Sequence, residues 1–333
     1  MTYTHLRDII IQHKGDKKYV LDKIISEKLS VAGTWYVIDW PEPCFPPYAP
    51  ATYPEFIARL DGQQFEYEGQ KCETGSRIVC GGRIYTNIAL ESGVGFNYQN
   101  LSPKERASFT VEGKPLVRFD ASASQLRVAL ALKGVFIPMT KSPWDELCTL
   151  VEHNALNDLS APAKRKVVKR IALMAVKKIT DIDVIDIWDE ETGIAPRPSL
   201  VKLKAAIESA LYLAYPQLLH KSPLIKTTPD GYSLCRESST YELPVKCRKI
   251  KADGKYVDTR YHIPIYSDPT PNNVIEGMEA LVLREVIRSL PADAPVLTCH
   301  DEIVTLPEYK SRVQKEWGKS LERLASMSAH VTS

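Results

Sequence analysis

Apolar residues recur along much of this chain at the three- and four-residue spacing of amphipathic helices. In the clearest case, residues 161–179, the positions Val167, Ile171, Met174 and Ala175 predict one buried face of a long helix. The same spacing predicts helices in the segments "LRDIIIQH", "YVLDKIISEKL", "EFIARL", "SASQLRVALAL", "SPWDELCTLVEH", "SLVKLKAAIESALYLAYP" and "NNVIEGMEALVLREVIRSL". The chain is therefore expected to be rich in helices, with a smaller number of strands between them.

Two of the predicted strands place an aspartate at an end or a turn. "PLVRFD" predicts a strand that closes on Asp120, and "PVLTCHDEIVTL" predicts two short strands joined by a tight turn at His300 and Asp301. If these strands lie side by side in one sheet, both carboxylates come within reach of the same pair of Mg²⁺ ions, which prefer oxygen ligands. For either short motif taken alone, a turn or helix-capping aspartate is the commoner explanation.

Positive charge concentrates on the long predicted helix, although the formal net charge of the whole chain is only +2. Seven cations fall within fifteen residues: Lys164, Arg165, Lys166, Lys169, Arg170, Lys177 and Lys178. Arg165 and Lys169 lie four residues apart and project from nearly the same side. A guanidinium fork and a compact ammonium can together bind a triphosphate. For this helix alone, a solvated basic face is the more frequent explanation.

The remaining composition narrows the class of protein. The sequence has no run of about 18 apolar residues and no basic-then-apolar leader, so an intracellular, cytoplasmic protein without a membrane segment is expected. Its seven cysteines form no CxxC pair, which favours reduced structural thiols over a zinc site.

Together and in this order, the motifs resemble those of the right-hand polymerases, which include the family A DNA polymerases and the single-subunit, phage-type RNA polymerases. "DASASQLR" matches the first palm motif of the DNA enzymes through Asp120, Ser122, Leu126 and Arg127, while its "DASAS" form is similar to that of the RNA enzymes. "RKVVKRIALMA" matches the fingers-helix motif, and "HDE" at residues 300–302 matches the second palm motif.

Two weaker blocks agree with the resemblance. "NYQN" resembles the segment that meets the template-primer duplex, and "PNNVIEG" resembles the palm helix that precedes the hairpin. In the second block Asn272 and Gly277 match the family pattern, and Glu276 stands where the DNA enzymes commonly have glutamine. The resemblance covers about residues 81–306.

The resemblance implies an α+β fold: an antiparallel palm sheet that carries the motif hairpin, helical fingers and a reduced N-terminal thumb-like region. The expected domains are residues 1–78 for the N-terminal helical, thumb-like region, 79–140 for the first part of the palm, 141–255 for the fingers and 256–333 for the second part of the palm. Only 119 residues precede Asp120, so a small thumb and no proofreading exonuclease domain are expected.

The implied function is template-directed nucleotidyl transfer by a compact family A-like DNA polymerase, such as the replicase or gap-filler of a mobile element or phage. A primase or RNA polymerase of the same superfamily is the first alternative. An inactive nucleic-acid-binding protein that keeps the polymerase fold is the second. The expected partners are a DNA template-primer, with an RNA primer or RNA as alternatives, nucleoside triphosphates and an accessory or processivity protein.

The resemblance also assigns roles to single residues. Two Mg²⁺ ions, replaceable by Mn²⁺, would be held by Asp120, Asp301 and the backbone carbonyl of Ala121. The catalytic set is Asp120, Asp301 and Lys169, and the nucleotide-binding set is Arg165, Lys169, Gln125 and Leu173. The nucleic-acid-binding set is Asn97, Gln99, Asn100, Arg127, Asn272, Glu276 and His300.

Departures from the family pattern bear on the nucleotide pocket. Leu173 and Lys177 stand where the DNA enzymes commonly have Phe and Tyr, so base stacking on the fingers helix is expected to differ. Gln125 stands where those enzymes have a glutamate that crowds the ribose 2′-hydroxyl. It keeps the bulk of that residue and loses its charge, which leaves the choice between dNTPs and NTPs open.

Overall fold

The computed structural model describes residues 53–178, 188, 192, 199–220, 224–250 and 256–329. Contacts divide the chain into two units, one of residues 49–234 with 270–333 and the other of residues 1–48 with 235–269. The helices expected between residues 4 and 30 lie outside the described residues.

The protein has an α+β fold. The strands of the described residues are β1 (Gln64–Tyr67), β2 (Gln70–Val79), β3 (Arg83–Leu90), β4 (Gly95–Asn97), β5 (Thr110–Val111), β6 (Lys114–Pro115), β7 (Val117–Asp120), β8 (Arg236–Ile250), β9 (Tyr256–Ser267), β10 (Leu297–Cys299) and β11 (Glu302–Thr305). The helices are α1 (Tyr53–Leu60), α2 (Pro103–Arg106), α3 (Ser124–Ala131), α4 (Pro143–Leu150), α5 (Asn154–Asn157), α6 (Ala161–Lys177), α7 (Leu200–Ala214), α8 (Pro271–Ser289) and α9 (Lys310–Ala329).

A six-stranded antiparallel sheet occupies part of the larger unit, in the order β4-β3-β2-β1-β5-β6. Its longest ladder joins β2 to β3, from Cys72 opposite Leu90 to Val79 opposite Arg83. Apolar side chains of this sheet pack with those of β10 and β11 in one buried cluster, made of Phe65, Cys72, Ile88, Tyr98, Phe109, Leu297, Cys299 and Val304. This cluster fixes the sheet beside the predicted aspartate hairpin.

A second antiparallel sheet, in the order β10-β11-β7, carries that hairpin. Strand β11 pairs with β7 from Glu302 opposite Asp120 to Thr305 opposite Val117. In β7 only Phe119 is buried, and Arg118 and Asp120 on the opposite face are exposed. This period-2 pattern turns the carboxylate of Asp120 away from the core.

Two hydrophobic cores support the helices of the larger unit. One contains apolar residues of α8, α9, β7 and β11, including Trp317 and Phe119, whose ring centroids are 5.7 Å apart. The other contains Val167, Ile171 and Met174, as the spacing along α6 predicts, together with residues of α3, α4 and α7. The cores thus hold α6 and α8 in place around β7 and the hairpin.

Helix boundaries follow capping chemistry. Ser142 caps α4 and Ser160 caps α6 through their hydroxyls, while Thr270 and Asn273 form a reciprocal capping box at the start of α8. Helix α6 ends at Lys177 rather than at residue 179, because Lys178 adopts a left-handed conformation with φ of 52°.

The smaller unit is described only in part. Its described residues form an antiparallel hairpin of β8 and β9, paired from Arg236 opposite Ser267 to Ile250 opposite Tyr256 with two register shifts. The expected fingers segment, residues 141–255, contributes to both units, and the expected boundary at residue 78 falls inside β2. Among the described residues, no helix is long and apolar enough to cross a membrane.

Candidate active site

Asp120 and Asp301 meet at one edge of the three-stranded sheet. Asp120 is the last residue of β7, and Asp301 lies in the turn between β10 and β11, next to the strand that pairs with β7. The backbone N–H of Ala121 approaches the carbonyl oxygen of Asp301 at 3.5 Å. The predicted adjacency of the two strands is therefore confirmed, although 180 residues separate Asp120 from Asp301 in the sequence.

The pKa of Asp301 depends on its burial and on the neighbouring carboxylate of Asp120. Burial, followed by the nearby carboxylate of Asp120, raises the pKa of Asp301 to about 6, while the cations Lys169 and Arg118 act in the opposite direction. A buried carboxyl whose charge is opposed by a neighbouring carboxylate has the electrostatics of a cation site. The contribution of Lys169 also shows that α6 brings its basic side chain toward this pair.

Two residues with left-handed backbones flank the aspartates. Ala123, just before α3, has φ of 61°, and His300, just before Asp301, has φ of 56°. A left-handed conformation costs a residue with a Cβ atom roughly 1–2 kcal/mol. Such strain persists where the surrounding structure enforces it, and it is frequent at functional sites. Here it aims both segments at the same edge.

A chain of polar contacts runs from the hairpin turn to helix α6. Arg83 of β3 places Nη2 2.9 Å from Nδ1 of His300, and because arginine has only donors, this nitrogen of the imidazole accepts. The other side of the guanidinium donates to Glu276 of α8 at 3.2 Å, and Lys177 of α6 lies 3.8 Å from the same carboxylate. His300 and Glu276, both predicted to meet nucleic acid, are thus joined by Arg83.

Directly opposite Asp120 in the ladder of β7 and β11 lies a buried acid held by two arginines. Glu302 is 2% exposed, and its carboxylate pairs with Arg106 at 3.3 Å and with Arg118. Arg118 also reaches Asp120, with 3.1 Å between Nη2 and Oδ2. Burial raises the pKa of Glu302 in spite of these two cations. Arg118 therefore ties the exposed carboxylate of Asp120 to an anchored charge.

On α6 the predicted nucleotide-binding residues share one helical face. Arg165, Lys169 and Leu173 recur at four-residue spacing. Lys169 is exposed, and Leu173 is partly buried against the core around α6. Arg165 donates to Asp145 of α4 at 3.1 Å, so its guanidinium is already oriented.

Gln125, the predicted sugar-contacting residue, lies in the first turn of α3 and contacts an acid that the sequence analysis did not select. Its Nε2 donates to Oε2 of Glu279 on α8 at 3.4 Å. Burial, followed by the charge of Asp301, raises the pKa of Glu279 to about 7, and Ser124, Gln125 and Lys177 oppose that rise. In the sequence, Glu279 could have been selected because it is the single acid in the otherwise apolar run "GMEALVL".

The other predicted nucleic-acid contacts have varied surroundings. The amide of Gln99 bridges β3 and β10 by donating to the carbonyls of Ile84 and Thr298, at 3.4 and 3.0 Å. Asn97 caps the turn that follows β4, Asn100 is exposed, and Asn272 is half-buried in the first turn of α8.

Arg127 differs from these residues because it is only 2% exposed. Its guanidinium donates to the carbonyls of Ser122, Ile137, Pro138 and Lys141. These bonds tie the segment "DASASQLR" to the loop that leads to α4.

The expected metal ions would need few ligands from the protein at this site. In the part of the chain that the structure describes, no group of three or more His, Cys, Asp or Glu side chains is arranged to hold a metal ion. Mg²⁺ commonly needs only one or two carboxylates, because water and substrate phosphates complete its shell. The mutually repelling pair of Asp120 and Asp301 meets that requirement.

Comparison with known proteins assigns no family. No model of a protein family matches the chain, and no curated protein matches it.

Proposed function

We propose that this protein is a template-directed nucleotidyltransferase, a DNA polymerase that extends a primer. The observation that carries the proposal is the meeting of Asp120 and Asp301 at one sheet edge, with Lys169 close enough to lower the pKa of Asp301. A catalytic carboxylate pair and a phosphate-binding cation are the groups that phosphoryl transfer requires.

In this proposal the two aspartates and the backbone carbonyl of Ala121 hold the divalent ions. Two ions held there, Mg²⁺ or Mn²⁺, would supply the positive charge that an in-line phosphoryl displacement needs. Arg118 keeps Asp120 in position through its bond at 3.1 Å. Because Glu302 also pairs with Arg118, the carboxylate of Asp120 would lose little freedom on binding an ion.

Lys169 and Arg165 bind the triphosphate of the incoming nucleotide in this proposal. The ammonium of Lys169 is exposed, and it already interacts with Asp301. Arg165 offers a planar fork that Asp145 holds from one side. Leu173, next on the same face, supplies an apolar surface for the base in place of an aromatic ring.

Contacts to the template-primer are assigned to the edge of the hairpin. His300, Arg83 and Glu276 form one hydrogen-bonded row along it. Such a row can read groove atoms of a duplex whose primer end lies at the aspartates.

The test is extension of a labelled primer on a DNA template with Mg²⁺. Asp120→Ala and Asp301→Ala should each lower the rate by several powers of ten, since each power corresponds to about 1.4 kcal/mol of activation free energy. Asp158→Ala, which removes an exposed carboxylate outside this site, is the control and should extend at the parental rate. Extension by either aspartate variant at near the parental rate would show that the two-metal assignment is wrong.

An RNA-synthesising enzyme is the second candidate, because Gln125 replaces the glutamate of the DNA enzymes. The same primer-extension assay, run with dNTPs and then with NTPs, distinguishes the two candidates. A protein that uses NTPs alone and starts chains without a primer is a primase or RNA polymerase, whereas primer extension with dNTPs supports the first proposal.

A further inference from the structure

Glu279 is a buried acid among apolar residues, and core packing does not explain it. It is 4% exposed, and its neighbours along α8, Met278, Ala280 and Leu281, are buried and apolar. Placing a carboxyl group in such surroundings costs free energy unless a polar partner compensates it. Replacement by leucine or methionine would remove that cost, so the position suggests a role other than packing.

Ser124 and Lys177 favour the charged form of Glu279, and the side chain that donates a direct hydrogen bond to it is that of Gln125. Its amide nitrogen lies 3.4 Å from Oε2 of Glu279, and the other carboxylate oxygen, Oε1, makes no hydrogen bond within the described residues. An ionised Glu279 accepts from the amide nitrogen, and a protonated Glu279 can donate to the amide oxygen after the amide turns over. The side chain of Gln125 is therefore held in either state.

The location of this pair links it to the reaction. Gln125 is five residues from Asp120, across the strained Ala123, and Glu279 interacts electrostatically with Asp301. Glu279 also lines a small cavity together with Arg83, Glu276 and His300 of the hairpin edge. A side chain fixed by Glu279 thus stands beside the proposed nucleotide pocket.

We propose that Glu279 is a positioning residue that holds the side chain of Gln125 against the sugar of the incoming nucleotide, so that the pair favours deoxyribose over ribose. The inference rests on the proposed function. A glutamine that is free to rotate can move away from a ribose 2′-hydroxyl, whereas one held by a second side chain keeps its volume in the pocket. Discrimination then depends on Glu279 as well as on Gln125.

The experiment measures kcat/KM for a dNTP and for the matching NTP in single-nucleotide primer extension, and takes their ratio. Glu279→Ala should lower this ratio by about tenfold, and Gln125→Ala should lower it at least as far, within the roughly ten- to two-hundredfold range that one pocket group provides. In the double variant the ratio should equal that of Gln125→Ala, because Glu279 acts through Gln125.

Two further variants separate positioning from other roles. Glu279→Gln keeps an oxygen that can accept from Gln125 and should retain the parental ratio within about twofold. Glu285→Gln removes a carboxylate from the same helix, where it pairs with Arg323 of α9, and serves as the matched control with an unchanged ratio. A merely structural loss would slow dNTP and NTP use equally and leave the ratio unmoved.

Each outcome bears on one conclusion. If the parent protein extends primers but Glu279→Ala leaves the ratio unchanged, the positioning role is wrong and the polymerase proposal stands. If Glu279→Gln loses discrimination as fully as Glu279→Ala, the charge of the residue acts rather than its bond to Gln125, and the inference also fails. A parent protein that extends with neither dNTPs nor NTPs overturns the proposed function, and the inference with it.

Discussion

Replacing Asp230 with asparagine should destabilise the larger unit strongly, because it leaves a buried guanidinium without its charge partner. Arg284 of α8 is fully buried, at 0% exposure. Its Nε and Nη2 donate to the two carboxylate oxygens of Asp230 at 2.8 and 2.7 Å. The guanidinium also lies 4.1 Å from the ring centroid of Tyr232 and donates to the carbonyl of Gly82, just before β3.

The expected magnitude follows from this burial. Breaking a buried ion pair by removing one partner costs about 3–5 kcal/mol, whereas an exposed pair contributes at most about 1 kcal/mol. Asp230→Asn keeps the shape and part of the hydrogen bonding, so we expect a loss of about 3 kcal/mol in the free energy of unfolding. The exposed pair of Glu316 and Lys319 on α9 is the control, and Glu316→Gln should cost no more than about 0.5 kcal/mol.

The loss of stability in Asp230→Asn should depend on pH, because the pKa of Asp230 is shifted in the folded protein. Burial alone would raise the pKa of Asp230, but the bonds and charge of Arg284, with Thr228 and Arg288, hold it below its ordinary value of 3.8. A depressed folded pKa gives stability that is present above pH 3.8 and is lost as the pH falls through the folded pKa. The difference in the free energy of unfolding between the parent and Asp230→Asn should therefore be largest at neutral pH and decrease in acid.

Urea unfolding, followed by the fluorescence of the buried Trp144 and Trp317, measures both effects. The midpoint of the variant should shift with little change in the slope. A cost below about 1 kcal/mol at neutral pH, or a gap that widens on acidification, would refute the assigned role of this ion pair.

Two further predictions concern helix α6, which we propose binds phosphate, and the packing of α8. Lys169→Ala should raise the apparent KM for nucleotides far more than it weakens duplex binding, while Lys178→Ala should mainly reduce the salt dependence of duplex binding; equal effects on KM would contradict this division. Gly277→Ala should lower the free energy of unfolding, measured in urea, by about 1–3 kcal/mol, since a Cβ there would clash with Cδ2 of Leu234 and lie 3.3 Å from the carbonyl oxygen of Gly81. Parental stability of Gly277→Ala would mean that Leu234 can move aside.

The helices and the hairpin of the site could be predicted because their signals are local. The spacing of apolar residues identifies the buried face of α6, and "PVLTCHDEIVTL" gives both strands and the turn at His300 and Asp301. Each feature depends on neighbours in the sequence, where the helical and strand periods and the turn residues can be recognised directly.

The six-stranded sheet and the strand β8 were not predicted, because their pattern is weak. Strand β2 reads "QKCETGSRIV", with polar residues on one face and few apolar ones on the other. Residues 236–250 carry a proline and mixed charges, a pattern that does not favour a strand, yet they form a strand of 15 residues. What stabilises these strands is pairing with a partner elsewhere, which no local window contains.

The partners of the site residues are equally non-local. The bond between Gln125 and Glu279 joins positions 154 residues apart, and Arg83 meets His300 across 217. Both pairs depend on how α3, α8 and β3 pack. The sequence can indicate which residues carry chemistry, but the packing of the cores decides which second side chain holds each one.

The pairing of β7 has a consequence for how the protein is made. Among the described strands β7 pairs only with β11, so the strand that ends at Asp120 has no sheet to join until residue 302 and its neighbours are available. Closing so long a loop is slow, because its entropy must be lost before the contacts form. During synthesis on the ribosome, the two aspartates can therefore meet only after most of the chain has emerged. A nascent chain that binds nucleotide or metal early would have to do so with one carboxylate alone.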